Sequence, residues 1–407
     1  MLPDNKEFRK IKSVCRQVEL TIEKYASDGV SIGYDDSKVI FVRYAIPGER
    51  VKVNIYKETK DYALAEPLEI ITPSPERITP ECKYFGLCGG CDYQMLQYAR
   101  QLEIKTALVL EAFHKIGKLE IENLTGIVSS GQEFYYRNTE TFKVNPRRQL
   151  IGFFRKDTKF IVDLEECKLA MPDINQAMNY MRTIEPYPPH NFKVRSTSLG
   201  ETTVNWVDTD IYEDRPLYED ITACGKTIRY KISKDSFFQV NNSVIPLWLE
   251  KIVGFLDESH NERIFDLYCG IGLITLFVAP FAKETIGVEI AKSSVKDADH
   301  NLEINRGAGL KDANIRFILG DVMQALPGLG NADVMIIDPP RRGADRPVLD
   351  LMMVMEPKKI IYSSCKPSTM ARDLQILSDK YDIKEIYLVD MFPQTHHVEM
   401  LSLLVRK

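Results

Sequence analysis

The sequence predicts an α/β chain: an open, mainly parallel sheet in the C-terminal half, preceded by a small β-barrel and a β-rich middle. Three observations carry this. From about Phe237 onward, apolar runs alternate with helical stretches, the pattern of βαβ units. From Cys15 to Ile71, short strands alternate with turns, as in a barrel. Three later apolar runs each end in a chemically distinctive segment: Asp266-Leu267-Tyr268-Cys269-Gly270-Ile271-Gly272, Asp338-Pro339-Pro340-Arg341-Arg342-Gly343, and Ser363-Ser364-Cys365-Lys366-Pro367. Ligands bind beyond the carboxyl ends of strands in such sheets, so these segments predict one crevice.

The 407 residues suit two or three domains. Met1 to Ile11 is polar and charged, unlike a signal peptide, and no apolar run is long enough to cross a bilayer. The expectation is a cytoplasmic, monomeric protein whose 8 cysteines are not a disulfide framework. Barrel strands are predicted at Gln17 to Ile22, Val39 to Val42 and Val51 to Tyr56, with turns at Ser27-Asp28-Gly29 and Ile46-Pro47-Gly48-Glu49. Thr72-Pro73-Ser74-Pro75 and Thr79-Pro80 make a stiff linker. Tyr93 to Ile116 reads as a helix with Leu96, Leu102, Ala107, Leu110 and Phe113 on its apolar side. Strands and turns fill Phe134 to Lys231.

Net charge of −5 argues against a general nucleic-acid binder, but charge is uneven. Arg137, Lys143, Arg147, Arg148, Arg155, Lys156 and Lys159 face only Glu140 and Asp157 in one short stretch, interleaved with Phe142, Phe153 and Phe154. Basic side chains meet phosphates and aromatic faces stack on unpaired bases. The same stretch also reads as a solvated hairpin with buried phenylalanines.

Arg263 to Phe265 predicts a strand, Gly270-Ile271-Gly272 a tight turn, and Leu273 to Ala282 a helix. Glycines let backbone approach a ligand, and the helix start offers free N–H groups. The next strand, Thr285 to Val288, ends in Glu289, 23 residues after Asp266, where a carboxylate can accept both ribose hydroxyls. A dinucleotide fingerprint wants glycine at position 275, where Thr275 stands. Asp266 ahead of the turn repels phosphate but suits a sulfonium or an amino group. These points favour S-adenosylmethionine over NAD.

A thiol beside such a donor points to covalent catalysis on a base. Uracil C5 is a poor nucleophile until a thiolate adds to C6. A uridine-C5 methylase therefore needs one thiol, one base and one methyl donor. Cys365 is the candidate thiol and Glu399, in Thr395-His396-His397-Val398-Glu399, the candidate base. Taken singly, a free cysteine is more often a small buried hydrophobe, and such a glutamate a solvated acid. Sharing a sheet with the glycine turn shifts both toward function. An amino-group methylase using Asp338-Pro339-Pro340 would not need Cys365.

Cys82, Cys88 and Cys91 form a tight triplet, with Cys167 far downstream. Four thiolates suit tetrahedral zinc or a four-iron cluster, and spacing leaves both open. Cys15, Cys224 and Cys269 read as packing residues.

Over essentially its whole length the chain resembles the RNA uracil-C5 methyltransferases, specifically the 23S ribosomal-RNA branch with an N-terminal TRAM barrel and an iron–sulfur cluster. The resemblance rests on Phe237-Phe238-Gln239-Val240-Asn241, the three strand-end segments above, Ala371-Arg372-Asp373-Leu374, and His397-Val398-Glu399. It implies an α/β fold with a Rossmann-like catalytic domain, a [4Fe-4S] cluster on Cys82, Cys88, Cys91 and Cys167, Cys365 as nucleophile and Glu399 as base. It implies donor contacts from Gln239, Tyr268, Glu289, Asp321 and Asp338, and RNA, most simply ribosomal RNA, as substrate. The implied domains are a barrel over 13–72, a central domain over 73–95 and 125–236, and a catalytic domain over 96–124 and 237–407, with the helix after the cysteines packed on the catalytic domain. A transfer-RNA substrate and a non-catalytic assembly factor are the alternatives. Lys366 stands where the family usually has Asn, and Leu273 where a polar residue is usual.

Overall fold

A computed structural model of the chain describes residues 15–207, 209–213, 215–256, 260, 262–311 and 313–407. Strands β1 (Arg16–Ala26), β2 (Val30–Asp35), β3 (Lys38–Arg43), β4 (Arg50–Glu58) and β5 (Tyr62–Thr72) close a barrel in the order β1-β2-β3-β5-β4. Alternation explains its core: Val51, Val53 and Ile55 point inward with Leu20, Ile22, Ile40 and Val42. Helix α1 (Tyr98–Ala112) and the short strand β6 (Gly126–Val128) come next in the chain.

The middle of the chain folds as β7 (Thr139–Asn145), β8 (Leu150–Phe154), β9 (Ile161–Asp163), α2 (Pro172–Tyr180), β10 (Phe192–Ser196) and β11 (Thr202–Asn205), with sheet order β11-β10-β7-β8-β9. Its core packs Phe142, Ile151, Phe192 and Val194 against Ala177 and Met178 of α2. Arg155 and Glu66, both nearly inaccessible, pair at 2.6 Å and tie this sheet to the barrel. Tyr56 and Arg43 of the barrel add bonds to Asp157.

The remainder runs β12 (Leu217–Ala223), β13 (Lys226–Ile232), α3 (Ile245–Gly254), β14 (Arg263–Leu267), α4 (Leu273–Val278), β15 (Glu284–Glu289), α5 (Lys292–Ile304), β16 (Ile315–Leu319), α6 (Val322–Ala325), β17 (Val334–Ile337), α7 (Arg346–Met355), β18 (Lys359–Ser364), α8 (Pro367–Leu377), β19 (Tyr381–Val389) and β20 (Glu399–Arg406). One eight-stranded sheet has the order β16-β15-β14-β17-β18-β20-β19-β6. β14 to β18 are parallel, and β20 is antiparallel to both β18 and β19. Both faces are buried: Ile264 and Ile336 join one apolar layer, Phe265 and Met335 the other. This is why the strands read as continuous apolar runs.

Three differences from the sequence reading have physical causes. The helix expected from Tyr93 begins at Tyr98, because Tyr93 and Leu96 sit in a buried turn whose carbonyls accept the Gln101 side-chain amide. The β12–β13 hairpin, expected in the central domain, packs Ile221, Ile228 and Tyr230 into one apolar layer of the eight-stranded sheet with Trp248 and Phe277. Strand β6, expected there too, pairs with β19. Strand periodicity identifies a strand but not the sheet that takes it.

Helix α1 docks on the segment that links β19 to β20. Lys105 Nζ reaches Asp390 Oδ1 at 2.7 Å, with neither side chain more than 1% exposed. Gln101 exchanges hydrogen bonds with Gln394 at 2.9 and 3.1 Å. Among the described residues no helix is long and apolar enough to cross a membrane. Lys105→Met should cost about 3–5 kcal/mol in urea unfolding, because it leaves the buried Asp390 carboxylate without its counter-ion, with only the Tyr98 hydroxyl still donating to it. Lys105→Met with Asp390→Asn should recover most of that loss, and an equally unstable double variant would refute the pairing as the cause.

Candidate active site

Sheet order sets the site. β14 has β15 on one side and β17 on the other, so the crevice opens at its carboxyl end. Asp266 lies in β14, Asp338 directly after β17, and Cys365 directly after β18. Ser364 pairs with Met400 across the antiparallel β18–β20 ladder. Cys365 follows Ser364 and Glu399 precedes Met400, so the ladder brings thiol and carboxyl to the same edge.

Their electrostatics are strongly coupled. Burial pushes the Cys365 thiol up to about 11; Glu399 and Asp338 push the same way and Arg341 opposes them. Burial, reinforced by Asp338, holds Glu399 well above the carboxylate range. Asp338 is raised to about 6 and Asp266 to about 7, each mainly by enclosure in protein. His397, beside this edge, is buried and pushed down to about 3, so it is neutral. The loop carrying Arg341 is fixed by Asp373, whose carboxylate accepts from Ala344 N at 3.0 Å and from Tyr362 OH at 2.6 Å.

A cavity beside Asp338 is lined by Phe237, Gln239, Trp248, Tyr268, Gly270 and Leu273. Gly272 starts α4 at φ +83°, which a side chain would strain. Thr275 takes a role the glycine comparison did not foresee: its hydroxyl donates to Asp266 Oδ2. Asp266 Oδ1 is buried with no protein partner, which suits a cationic or amino-bearing ligand. Glu289, at the end of β15, accepts from Gly270 N at 3.0 Å and Ala291 N at 2.7 Å. Asp321 caps α6 through Met323 N at 2.9 Å and lies along the same edge. Of the residues expected to contact a donor, Gln239, Tyr268 and Asp338 line this cavity, while Glu289 ends β15 and Asp321 follows β16, outside its lining. Leu273 also lines the cavity, and its carbonyl accepts from Tyr230 OH at 3.0 Å.

Cys82, Cys88, Cys91 and Cys167 line a single cavity of about 200 Å³, although Cys167 is far away in sequence. Gln94 bridges the loop, accepting from Cys82 N at 3.0 Å and donating to Cys91 Sγ at 3.1 Å. Backbone N–H groups of Tyr84, Gly90 and Leu169 face Cys82, Cys88 and Cys167 respectively. Thiols gathered with N–H donors fit a thiolate-bound metal centre. Among the described residues no three Cys, His, Asp or Glu side chains converge closely enough for a single ion. Of the other thiols, Cys15 is exposed rather than packed, while Cys269 is buried at the donor cavity.

A groove of about 660 Å³ runs from the barrel corner at Lys24, Tyr25 and Asp28, past α1, to Arg341, Cys365 and Lys366. The basic stretch divides between its two readings. Arg155 pairs with Glu66 as a buried structural ion, and the half-buried Arg137 pairs with Glu140. Arg147 and Arg148 are exposed in the β7–β8 turn. Sequence reasoning passed over Arg341, although it lies three residues after Asp338 in the quoted motif. It also missed Asp92, whose Oδ2 stands 2.6 Å from His396 Nδ1. No local pattern signals a partner so distant in sequence.

Comparison with known proteins decides the family. The model for tRNA (uracil-5-)-methyltransferase matches residues 208–407, and that for the TRAM domain residues 12–68. An RNA methyltransferase of Aquifex aeolicus is 32% identical over 96% of this chain and 98% of its own length. The chain belongs to the RNA uracil-C5 methyltransferase family. A second relative of this methyltransferase, an RNA methyltransferase of Listeria monocytogenes, is also 32% identical, over 96% of this chain and 97% of that one. The methyltransferase shares its fold with the Pyrococcus abyssi tRNA (uracil-54, C5)-methyltransferase, crystallised with S-adenosyl-L-homocysteine, at TM-score 0.75 and 22% identity over 95% of this chain and 100% of that one.

The raised carboxyls give a pH prediction. An unfolded aspartate titrates near 3.9. Native Asp338 and Asp266 hold their protons to about 6 and 7. Between pH 4 and 7 the native methyltransferase therefore binds more protons than the unfolded chain, and these groups make stability fall as pH rises. Asp266→Asn with Asp338→Asn should flatten that decline in urea unfolding measured at intervals across the window. A double variant that keeps the wild-type slope would show that the two acids are not the source.

Proposed function

We propose that this enzyme transfers a methyl group from S-adenosylmethionine to C5 of a uridine in RNA through a covalent bond between Cys365 and C6. The carrying observation is the β18–β20 ladder, which gathers Cys365 and a buried Glu399 at the edge where Asp338 meets the donor cavity. Bound there, S-adenosylmethionine would supply an electrophilic methyl on a sulfonium. Gln239, Tyr268, Glu289, Asp321 and Asp338 would hold it, and the unpartnered Asp266 Oδ1 supports a cationic occupant.

In the reaction, the Cys365 thiolate forms a bond to C6 and the C5=C6 electrons move to C5. C5 then takes the methyl, and the donor sulfur leaves neutral. Glu399 removes the C5 proton; its electrons restore C5=C6 and expel the thiolate. Arg341 counters the acids that disfavour the thiolate. An amino-group methylase would leave the pairing of Cys365 with Glu399 without a role, and a non-catalytic assembly factor would need neither.

The groove between barrel and catalytic edge supports RNA as the partner. Ribosomal RNA, the 23S species, is the substrate we favour, on the cysteine set and barrel of the family branch the sequence resembles. A transfer RNA is the second reading, favoured by the tRNA substrate of the Pyrococcus enzyme. Mapping 5-methyluridine in both RNAs with and without the gene separates them. Eight cysteines without a disulfide among the described residues fit a reducing, cytoplasmic setting.

Cys365→Ala should abolish turnover and adduct together. Glu399→Gln should slow turnover by roughly 10²–10⁴-fold and accumulate a methylated protein–RNA adduct that survives denaturing electrophoresis. Wild-type turnover in Cys365→Ala would end the covalent reading.

We further propose that Cys82, Cys88, Cys91 and Cys167 hold a [4Fe-4S] cluster. Four thiols lining one cavity, with backbone N–H groups turned toward three of them, support the reading, and the choice of cluster over zinc rests on the family branch the sequence resembles. Anaerobically prepared protein should contain about four iron and four sulfide per chain. Stoichiometric zinc without sulfide would reject the cluster.

A further inference from the structure

One carboxylate joins every part of this molecule. Asp92 directly follows Cys91 and is 2% exposed. Its Oδ2 accepts from the His396 backbone N at 3.1 Å and stands 2.6 Å from His396 Nδ1. Its Oδ1 takes Lys156 of the central domain at 3.3 Å. Its own N–H donates to the Gln394 carbonyl at 3.0 Å, and Tyr93 N–H donates to the same oxygen at 3.2 Å. Gln394 is itself bonded to Gln101 of α1 and to Glu133. The barrel closes over the carboxylate at Gly29, where a Cβ would stand 2.7 Å from the Asp92 carboxyl carbon. No side chain fits there.

What Asp92 holds is the chain entering β20. His396 lies three residues before Glu399. The His396 and His397 rings are 4.0 Å apart, and the His397 ring rests edge-on against Phe392 at 5.8 Å. The path of residues 394–398 therefore fixes where β20 begins and where its first side chain points.

We infer that Asp92, acting through His396, is a positioning residue for Glu399, and that it couples the cysteine loop to the catalytic edge. This rests on the reading of Glu399 as the base for the C5 proton. Removing the C5 proton is the step most sensitive to the carboxylate's placement, because the atoms must align while the adduct is held at Cys365. A displacement near 1 Å is enough to cost about 100-fold. Addition of the thiol to C6 uses Cys365, directly after β18, which Asp92 does not touch.

The test separates these two steps. Single-turnover reactions with RNA and S-adenosylmethionine would follow adduct formation and adduct decay for wild type, Glu399→Gln, Asp92→Ala, Asp92→Asn, His396→Ala and the double variant Asp92→Ala/His396→Ala. Asp92→Ala and His396→Ala should each slow adduct decay roughly 10- to 100-fold. Asp92 does not line the RNA groove, so Asp92→Ala should leave adduct formation and donor affinity within about threefold of wild type. The double variant should be no worse than the poorer single one, since the side-chain contact that His396→Ala removes is already lost in Asp92→Ala. Asp92→Asn, which keeps an acceptor for the His396 N–H, should recover most of the decay rate.

A merely structural Asp92 would slow formation and decay alike. That result, or wild-type decay in His396→Ala, overturns the inference. If Glu399→Gln accumulates adduct while Asp92→Ala and His396→Ala do not, the base reading stands and the inference alone falls. If Glu399→Gln leaves no adduct, both fall.

Discussion

The site depends on one strand register. β20 runs antiparallel to its neighbour β18, inside a sheet whose core strands are parallel. A parallel strand would begin at the far edge and carry its first residue away from the crevice. Because β20 reverses direction, its first residue arrives where β18 ends. Pairing Ser364 with Met400 then places Cys365 and Glu399 together. Side chains alternate along a strand, so a slip of one residue would turn Glu399 to the opposite face. Buried packing on both sides of the sheet resists such a slip: Ile360, Leu404 and Met400 lie in one apolar layer, Ile361 and Leu401 in the other.

That register concentrates negative charge where burial makes it costly. Asp266, Asp338 and Glu399 each hold their protons more tightly than free carboxyls, and Asp338 contributes to the shifts of the other two. Arg341 is the cation that offsets them at Glu399 and Cys365. A site arranged in this way is destabilising without its ligand and complementary to a positive one. The same acids that suit a sulfonium also oppose formation of the Cys365 thiolate. Attack on the base therefore depends on what relieves that negative field.

Much of this was legible in the sequence, for definable reasons. The glycine turn, the Asp338 segment and Cys365 lie immediately after apolar runs, so local pattern located them on one edge. Glu289 was legible from spacing to Asp266. The β12–β13 hairpin was not, because period-two alternation is the same whether a strand joins a small sheet or covers a catalytic core. Nor was the division of the basic stretch. Arg155 and Arg147 look alike in sequence, and only the buried Glu66 opposite Arg155 separates a structural ion from a surface one. Asp92 reads as an ordinary acid after a cysteine motif; its partner is 304 residues away.

The long-range ties explain why the barrel belongs to the active site rather than merely preceding it. Arg155 with Glu66 joins barrel to central sheet, Lys105 with Asp390 joins α1 to the catalytic sheet, and Asp92 joins the cysteine loop to the approach to β20. Each is buried, so none is screened by solvent ions as a surface pair would be. The groove from Lys24 to Cys365 is therefore bounded by walls held in fixed relation. A flexible tether would raise only the local concentration of RNA. On the proposed mechanism fixed walls would also set the angle at which a base meets the thiol, and orientation contributes more to a two-centre reaction than concentration alone. The interleaved order of the chain, with α1 and β6 built into a sheet whose other strands come more than 130 residues later, is the covalent means by which that geometry is held.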